Sequence, residues 1–414
     1  MNDLRIDGGR LWDGLSRMGE IGATPAGGVN RQALTDGDRA ARDLFISWCR
    51  EAGCSVRIDA SGNIFARRAG RRGVAPAVAA GSHLDSQPAA GRFDGALGVL
   101  AALEVVRTLN DHGVVTERPL EVVSWTNEEG CRFAPSMMGS GVFTGRFDAA
   151  RMDATADTEG RTFGAELERI GFRGDDLVSV TELDSWFELH IEQGPVLERE
   201  GTAIGVVTGA NGLRWFDLVV TGHDAHAGPT PMAERRDALL GAARIVAAVN
   251  RIGLAHLPGA SATVGSLAVH PNSRNTIPGR VAFTVDLRHQ DETRQAAMKD
   301  ALETEAASIC AADNLELDLR EIANQPPLRF DPGCVAAVRG AAAAQGLSWR
   351  EMVSGAGHDA CHLAARLPTA MIFIPCEGGV SHSEQENATR EDCIAGANVL
   401  LHAVLKRAGV HAGC

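Results

Sequence analysis

Between residues 75 and 125 the chain runs from an apolar strand pattern, APAVAAGSHLD, through a glycine-rich turn into the helix pattern GALGVLAALEVVRTLNDHG. A second strand pattern, PLEVVSWTNEE, follows. Strands that are apolar without alternation and joined by a helix-length segment belong to a sheet covered on both faces, with its strands largely parallel. That unit constrains the rest of the fold. TDGDRAARDLFISWCREAG reads as a helix stopped at Gly53, and CSVRIDASGNIFARR as a hairpin turning at Ser61-Gly62. WFELHIEQGPVLEREG and AIGVVTG extend the same sheet. The expected class is α/β, a mostly parallel sheet flanked by helices.

Near Ala210 the rhythm changes. GLRWFDLVVTGHDAHAG reads as a strand, RRDALLGAARIVAAVNRIG as a helix, and SATVGSLAVH and GRVAFTVDLRHQ as two strands. A helix over 293–312 and the strand LELDLREI complete a β-α-β-β-α-β order, the pattern of a split βαβ, ferredoxin-like α+β domain. From Asn324 the first style resumes with WREMVSG, TAMIFIP and a helix from about Arg390. The expected organisation is a catalytic domain of residues 1–210 and 327–414 with a smaller domain, 211–326, inserted.

Composition narrows the partners. A net charge of -13 over 414 residues argues against nucleic acid and anionic membrane, both of which select basic surfaces. The lysines are Lys299 and Lys406 and there is no tyrosine, a bias that fits a GC-rich genome. Nine dispersed cysteines, including Cys414, show no paired spacing and read as reduced thiols in the cytoplasm; Cys131, Cys361 and Cys376 are expected to be buried bystanders. The stretch MNDLRIDGGRLWDGLSRMGEIG is polar and amphipathic, so no signal peptide is expected, and no apolar run is expected to reach the length of a membrane span.

The chemistry gathers at strand ends, where open α/β sheets place their ligands. His83, Asp85 and Asp94 surround the first turn, Glu128-Glu129 follows the next strand, and His190 and His382 follow or end later ones. A lone strand histidine is more often a hydrogen-bonded core residue, and adjacent acids are more often a solvated rim. Together, however, imidazole and carboxylate make a mixed set that zinc, manganese, cobalt or nickel accepts. Five ligands, His83, Asp94, Glu129, His190 and His382, serve two divalent ions if one carboxylate bridges. Asp85 is better placed to fix the His83 tautomer from behind. Glu128 can stand off as general base, provided the strand has ended and Gly130 permits the turn.

These residues resemble the M20 group of dinuclear metallohydrolases, in its amidase, hydantoinase/carbamoylase branch. The resemblance runs nearly end to end, through GSHLDSQPAAGRFDGALGV, WTNEEGCRFAPSMMGS, ELHIEQGPVLE, GHDAHAGPTPM, NSRNTIPG, VDLRH, SGAGHDA and PCEGGVSHSEQE. HIEQGP is the most telling, because His190 stands where the peptidase branch usually carries an acid. The resemblance implies that Asp94 bridges two metal ions, with Glu129 and His382 completing one site and His83 and His190 the other. It implies that Glu128 is the general base. It also implies that the inserted domain serves as a lid and a dimerisation element in a homodimer.

On the substrate side, His226 matches a residue that steadies the oxyanion, Asn275 and Arg288 match a clamp for the substrate carboxylate, and Gln193, Gly357 and His358 line the same pocket. Taken alone, His226 and Asn275 read as turn residues, Arg288 as a surface arginine and His358 as a helix start. The implied activity is cleavage of the carbamoyl group from N-carbamoyl-L-amino acids, small carboxylates that carry a ureido group. Allantoate amidohydrolase and β-ureidopropionase are the near alternatives. An M20 peptidase or deacetylase, or a non-catalytic scaffold, stands further off.

Overall fold

The computed structural model describes residues 3–411, so Cys414 lies outside the described residues. Two compact units are present, Met1–Thr208 with Arg329–Cys414, and Gly209–Leu328. The first opens with helices α1 (Gly8–Glu20) and α2 (Asp36–Glu51), followed by the hairpin β1 (Ser55–Ile58) and β2 (Ile64–Arg68). Strand β3 (Ala77–His83), helix α3 (Ala96–Asp111) and strand β4 (Leu120–Trp125) form the unit read from the sequence. Then come α4 (Met138–Phe143), β5 (Leu183–Ile191) and β6 (Ile204–Ala210).

The inserted unit carries β7 (Gly212–Thr221), β8 (Ala225–His226), α5 (Ala238–Ala255), β9 (Ser261–His270), β10 (Thr276–Ile277), β11 (Arg280–His289), α6 (Glu292–Ala312) and β12 (Glu316–Gln325). The chain returns through β13 (Leu328–Arg329), α7 (Pro332–Ala344), β14 (Trp349–Ser354), α8 (Asp359–Leu363), β15 (Thr369–Ile374) and α9 (Arg390–Ala408).

The large sheet runs β1-β2-β4-β3-β5-β15-β6-β13, with β14 on β6. Its centre, β4-β3-β5-β15, is parallel, while β1, β2 and β6 pair antiparallel at the flanks. Every residue of β3, β4 and β15 is buried, which explains why these strands read as continuous apolar runs. Helix α3 packs on them through small residues: a Cβ at Gly98 would lie 2.5 Å from the Leu189 carbonyl oxygen, so only glycine permits this approach. Edge and tilted aromatic contacts, Phe65 on Trp125 at 5.7 Å and Trp125 on Trp186 at 5.6 Å, fill the layer beneath.

In the inserted unit the order β12-β7-β11-β9 closes one core, with Phe216, Leu218, Ile245, Val249, Phe283, Val285, Met298 and Leu302 buried between sheet and helices. The expectation that no apolar run reaches the length of a membrane span does not hold. Helix α5 spans 18 residues with a mean hydropathy of 1.5, long and apolar enough by those measures to cross a membrane. It is instead a core helix of this unit: Ala242, Ile245, Val249 and Ile252 face the sheet, and Arg244 and Arg251 pair with Asp313 and with Glu305. A core helix and a membrane span share the same composition. Burial of one face distinguishes them, and a linear apolar count does not register it.

Candidate metal centre

All four central parallel strands deliver a candidate side chain at their carboxyl ends. His83 ends β3, His190 lies one residue before the end of β5, Glu128 and Glu129 follow β4, and His382 lies in the loop after β15. Asp94 comes from the turn between β3 and α3. There Gly95 has φ +65°, and a Cβ on it would lie 2.5 Å from the His83 ring. Glycine therefore both permits the turn and leaves room for the imidazole.

The histidines and Asp94 converge. The Nε2 atoms of His83 and His190 lie 3.4 and 3.1 Å from Asp94 Oδ1. On the other side, His382 Nε2 lies 3.6 Å from Asp94 Oδ2 and 3.3 Å from Glu129 Oε2. Among the described residues, His83, Asp94 and His190 form one group able to hold an ion, and Asp94, Glu129 and His382 another, with Asp94 common to both. Glu128 Oε2 stands 3.6 Å from His83 Nε2 and belongs to neither. A third group, Glu188, His190 and His358, is already committed. Glu188 accepts from Ser82, Trp186 and Ala360, and His358 Nε2 bonds Ser354 Oγ at 3.0 Å.

The chemistry of this donor set fits a cation. Nδ1 of His83 bonds the Asp85 carbonyl at 2.9 Å, and Nδ1 of His190 bonds the Ile191 carbonyl at 2.9 Å. A carbonyl only accepts, so each ring carries a proton on Nδ1 and, in its neutral form, turns an Nε2 lone pair towards a carboxylate. His190 Nε2 is buried without a hydrogen-bond partner, because its 3.1 Å approach to Asp94 is not aligned for one. Lone pairs facing a carboxylate in a dry site repel unless a positive charge lies between them.

The carboxylates that would hold a cation also draw protons to the site. Burial opposes a charge on His83, yet the carboxylates of Glu128, Asp94 and Asp85 outweigh it and raise its pKa well above the ordinary value. Against burial, His190 and His83 hold Asp94 well below the carboxylate range. Burial pushes Glu128 well up, offset in part by His83, and pushes Glu129 up to about 8 with the help of Asp94.

The turn that presents the two glutamates is built by long-range bonds. After β4, Asn127 adopts φ +56° and Gly130 φ +67°. Met137, Met138 and Gly139 donate their N–H groups to the carbonyls of Glu128, Asn127 and Thr126 at 2.7, 3.2 and 2.9 Å. Asp85 differs from expectation: its carbonyl, not its carboxylate, fixes the His83 tautomer. The carboxylate lies 3.8 Å from Nδ1 and instead accepts the N–H groups of Glu128 and Glu129, each at 3.2 Å. The two backbone N–H groups engage the carboxylate, and the Asp85 carbonyl is what meets the ring.

Gln193, with φ +57°, donates Nε2 to Asp94 Oδ2 at 2.9 Å, so it orients the shared carboxylate. His358 caps α8 and packs edge-on to His190 at 4.6 Å; burial drives its pKa well down, so the ring stays neutral. Gly357 precedes it, with space for a Cβ closed by Met137 at 3.1 Å. Cys376 is buried, but Cys361 is only half-buried and Cys131 is exposed, which corrects the expectation of three buried thiols. Cys131 follows the left-handed Gly130 on a surface loop, where connecting segments run.

In the inserted unit, His226 and Asn275 are brought together on the β8–β10 ribbon. His226 pairs with Thr276 and the Ala227 N–H reaches the Asn275 carbonyl at 2.9 Å. His226 Nδ1 accepts the Gly228 N–H at 3.1 Å, which leaves the proton of a neutral ring on Nε2. Arg288 lies on β11, a separate element, with its guanidinium held by Asp286 at 2.9 Å.

Sequence reasoning misses the buried polar residues behind the ligands. Asp359 accepts from Ser140 Oγ at 2.5 Å, with His362 Nδ1 3.2 Å from that hydroxyl. Glu386 accepts the N–H groups of Phe93 and Asp94. The signal available for Glu386 is its place in the loop after His382, and Glu384 shares that signal.

The chain is similar to known proteins along nearly its whole length. The profile of Peptidase family M20/M25/M40 matches residues 79–406. An N-carbamoyl-L-amino-acid amidohydrolase of Rhizobium meliloti is 48% identical over 98% of both chains. A ureidoglycolate hydrolase of Oryza sativa subsp. japonica is 36% identical, over 95% of this chain and 84% of that one. Among solved structures, an amidase of the hydantoinase/carbamoylase family from Burkholderia multivorans superposes with a TM-score of 0.95 at 58% identity, covering 98% of each chain.

Proposed function

The chain belongs to the M20/M25/M40 peptidase family, in its hydantoinase/carbamoylase amidase branch, and on that premise we propose that it hydrolyses N-carbamoyl-L-amino acids with two divalent metal ions. The observation that carries the reading is the shared Asp94 carboxylate between two pairs of candidate ligands, with Glu128 beside them and outside both groups. Bound there, zinc, manganese, cobalt or nickel would acidify water towards neutrality and polarise the carbamoyl carbonyl.

The residues do the rest. Glu128 takes a proton from the attacking water, which adds to the carbamoyl carbon. His226 offers its Nε2–H to the oxygen that gains negative charge. Glu128 then gives the proton to the amino-acid nitrogen as its bond to that carbon breaks. The released carbamic acid falls to carbon dioxide and ammonia. Asn275 and Arg288 hold the substrate carboxylate, with Asp286 keeping the guanidinium fork oriented. Reduced thiols support a cytoplasmic setting, and the exposed edge strand β9 supports self-association into a homodimer.

Ammonia release by the metal-loaded protein tests the substrate. It should be strongest with an N-carbamoyl-L-amino acid and weak with the D-isomer, N-carbamoyl-β-alanine, allantoate or ureidoglycolate. Preference for allantoate or ureidoglycolate would move the chain to that chemistry, and silence on all five would reject the substrate class. Arg288→Ala should raise KM by about 10–100-fold, the worth of a charge-assisted pair, with a smaller change in kcat. An unchanged KM in steady-state kinetics would remove Arg288 from the clamp.

A further inference from the structure

We infer that Glu386 is a positioning residue that holds the loop of Asp94 and the loop of His382 at the spacing the second metal ion needs, so that it governs the affinity of that ion in particular. The inference rests on the two-ion reading above. Glu386 is 5% exposed, and both of its oxygens are in use. Oε1 accepts the N–H groups of Phe93 and Asp94, each at 3.1 Å, and Oε2 lies 3.1 Å from Ser381 Oγ. Ser381 directly precedes His382, which is held in the left-handed region at φ +53°. The Glu386 N–H closes the turn by donating to the Ser383 carbonyl at 3.0 Å. From the other side, the Asp94 loop lays its backbone on the carboxylate: a Cβ on Gly91 would lie 2.2 Å from Glu386 Cδ. One side chain thus ties together two loops that each carry a ligand of the Asp94–Glu129–His382 group.

The selectivity follows from how the other ligands are held. His83 and His190 are buried at the ends of strands, and each has its Nδ1 fixed by a carbonyl that does not involve Glu386. The Asp94 carboxylate keeps separate bonds from Gln193 Nε2 at 2.9 Å and from Ser381 Oγ at 3.2 Å. His382 is 51% exposed on a loop with strained backbone, and Glu386 holds that loop to the Asp94 loop through the Phe93 and Asp94 N–H groups and through Ser381 Oγ. Partners behind a ligand commonly set metal affinity by about 10–100-fold.

The test is a Co(II) titration under chelator competition, read by visible absorption, on the native protein, Glu386→Asp and Glu386→Gln. The native chain should take up two equivalents. Glu386→Asp keeps the carboxyl group but is one methylene short of spanning both loops; it should weaken the second equivalent by about 10–100-fold and leave the first unchanged. Glu386→Gln keeps an oxygen for the Phe93 and Asp94 N–H groups and should restore most of that loss. Native-like binding of both equivalents by Glu386→Asp, or equal weakening of both, would overturn the role of Glu386. A native protein that takes up one equivalent would overturn the two-ion reading instead.

Discussion

Glu128→Gln should keep its full complement of metal and lose about 10²–10⁴-fold in kcat, the usual contribution of a positioned general acid–base. Glutamine preserves the shape of the side chain, the backbone N–H bond to the Asp85 carboxylate and the bond from the Met137 N–H, so the fold and the ligands stay in place. It removes only the ability to carry a proton. Glu128 suits that task because it is buried, and burial pushes its pKa well above the carboxylate range while His83 pulls against it. The carboxylate is the active form for taking the first proton. Activity of the native protein should therefore fall as pH drops through that raised pKa, and the small residual activity of the variant should lose this acid limb. Metal content by mass spectrometry and kcat against pH check both halves. Native turnover in the variant would reject Glu128 as the base, and loss of metal would make it a ligand instead.

Much of this arrangement is legible in the sequence, because period and punctuation carry it. β3, α3 and β4 read directly from apolar runs stopped by glycine, and parallel strands bring their ends together wherever they lie in the chain. His83, Glu129 and His190 need only that rule. The antiparallel flanks do not follow from it: β6 is as apolar as its neighbours, and its direction is set by pairing with β15, where Val207 faces Met371, 164 residues further along the chain. Residues behind the ligands are harder still. Glu384 and Glu386 have the same chemistry in the same loop, and what buries Glu386 is a contact with Asp94, 292 residues away in the chain. Asp85 illustrates a finer limit. Its spacing from His83 shows that it lies near the ring, but whether carbonyl or carboxylate faces the imidazole depends on backbone angles in a loop. Helix α5 is limited in another way, since composition gives its apolarity and only packing gives its direction.

Asp94→Asn should abolish tight binding of both ions together, and activity with them. Its two oxygens face different partners, Oδ1 towards His83 and His190 and Oδ2 towards His382, so no other described side chain belongs to both of those groups. An amide oxygen is a weak ligand and brings no charge. The first group is then left with two neutral imidazoles, and the second with Glu129 and a half-exposed histidine. The change is mild for the fold, because the Phe93 and Asp94 N–H groups still reach Glu386 and the α3 turn at Gly95 is untouched. A ligand that binds only the folded state stabilises it by mass action. Added metal should therefore raise the melting temperature of the native protein and leave that of the variant unchanged. Metal analysis after desalting provides the count. If the variant kept one ion tightly, Asp94 would serve a single site and the bridge would be lost, whereas loss of both with an intact far-ultraviolet circular dichroism spectrum is the result that a shared carboxylate requires.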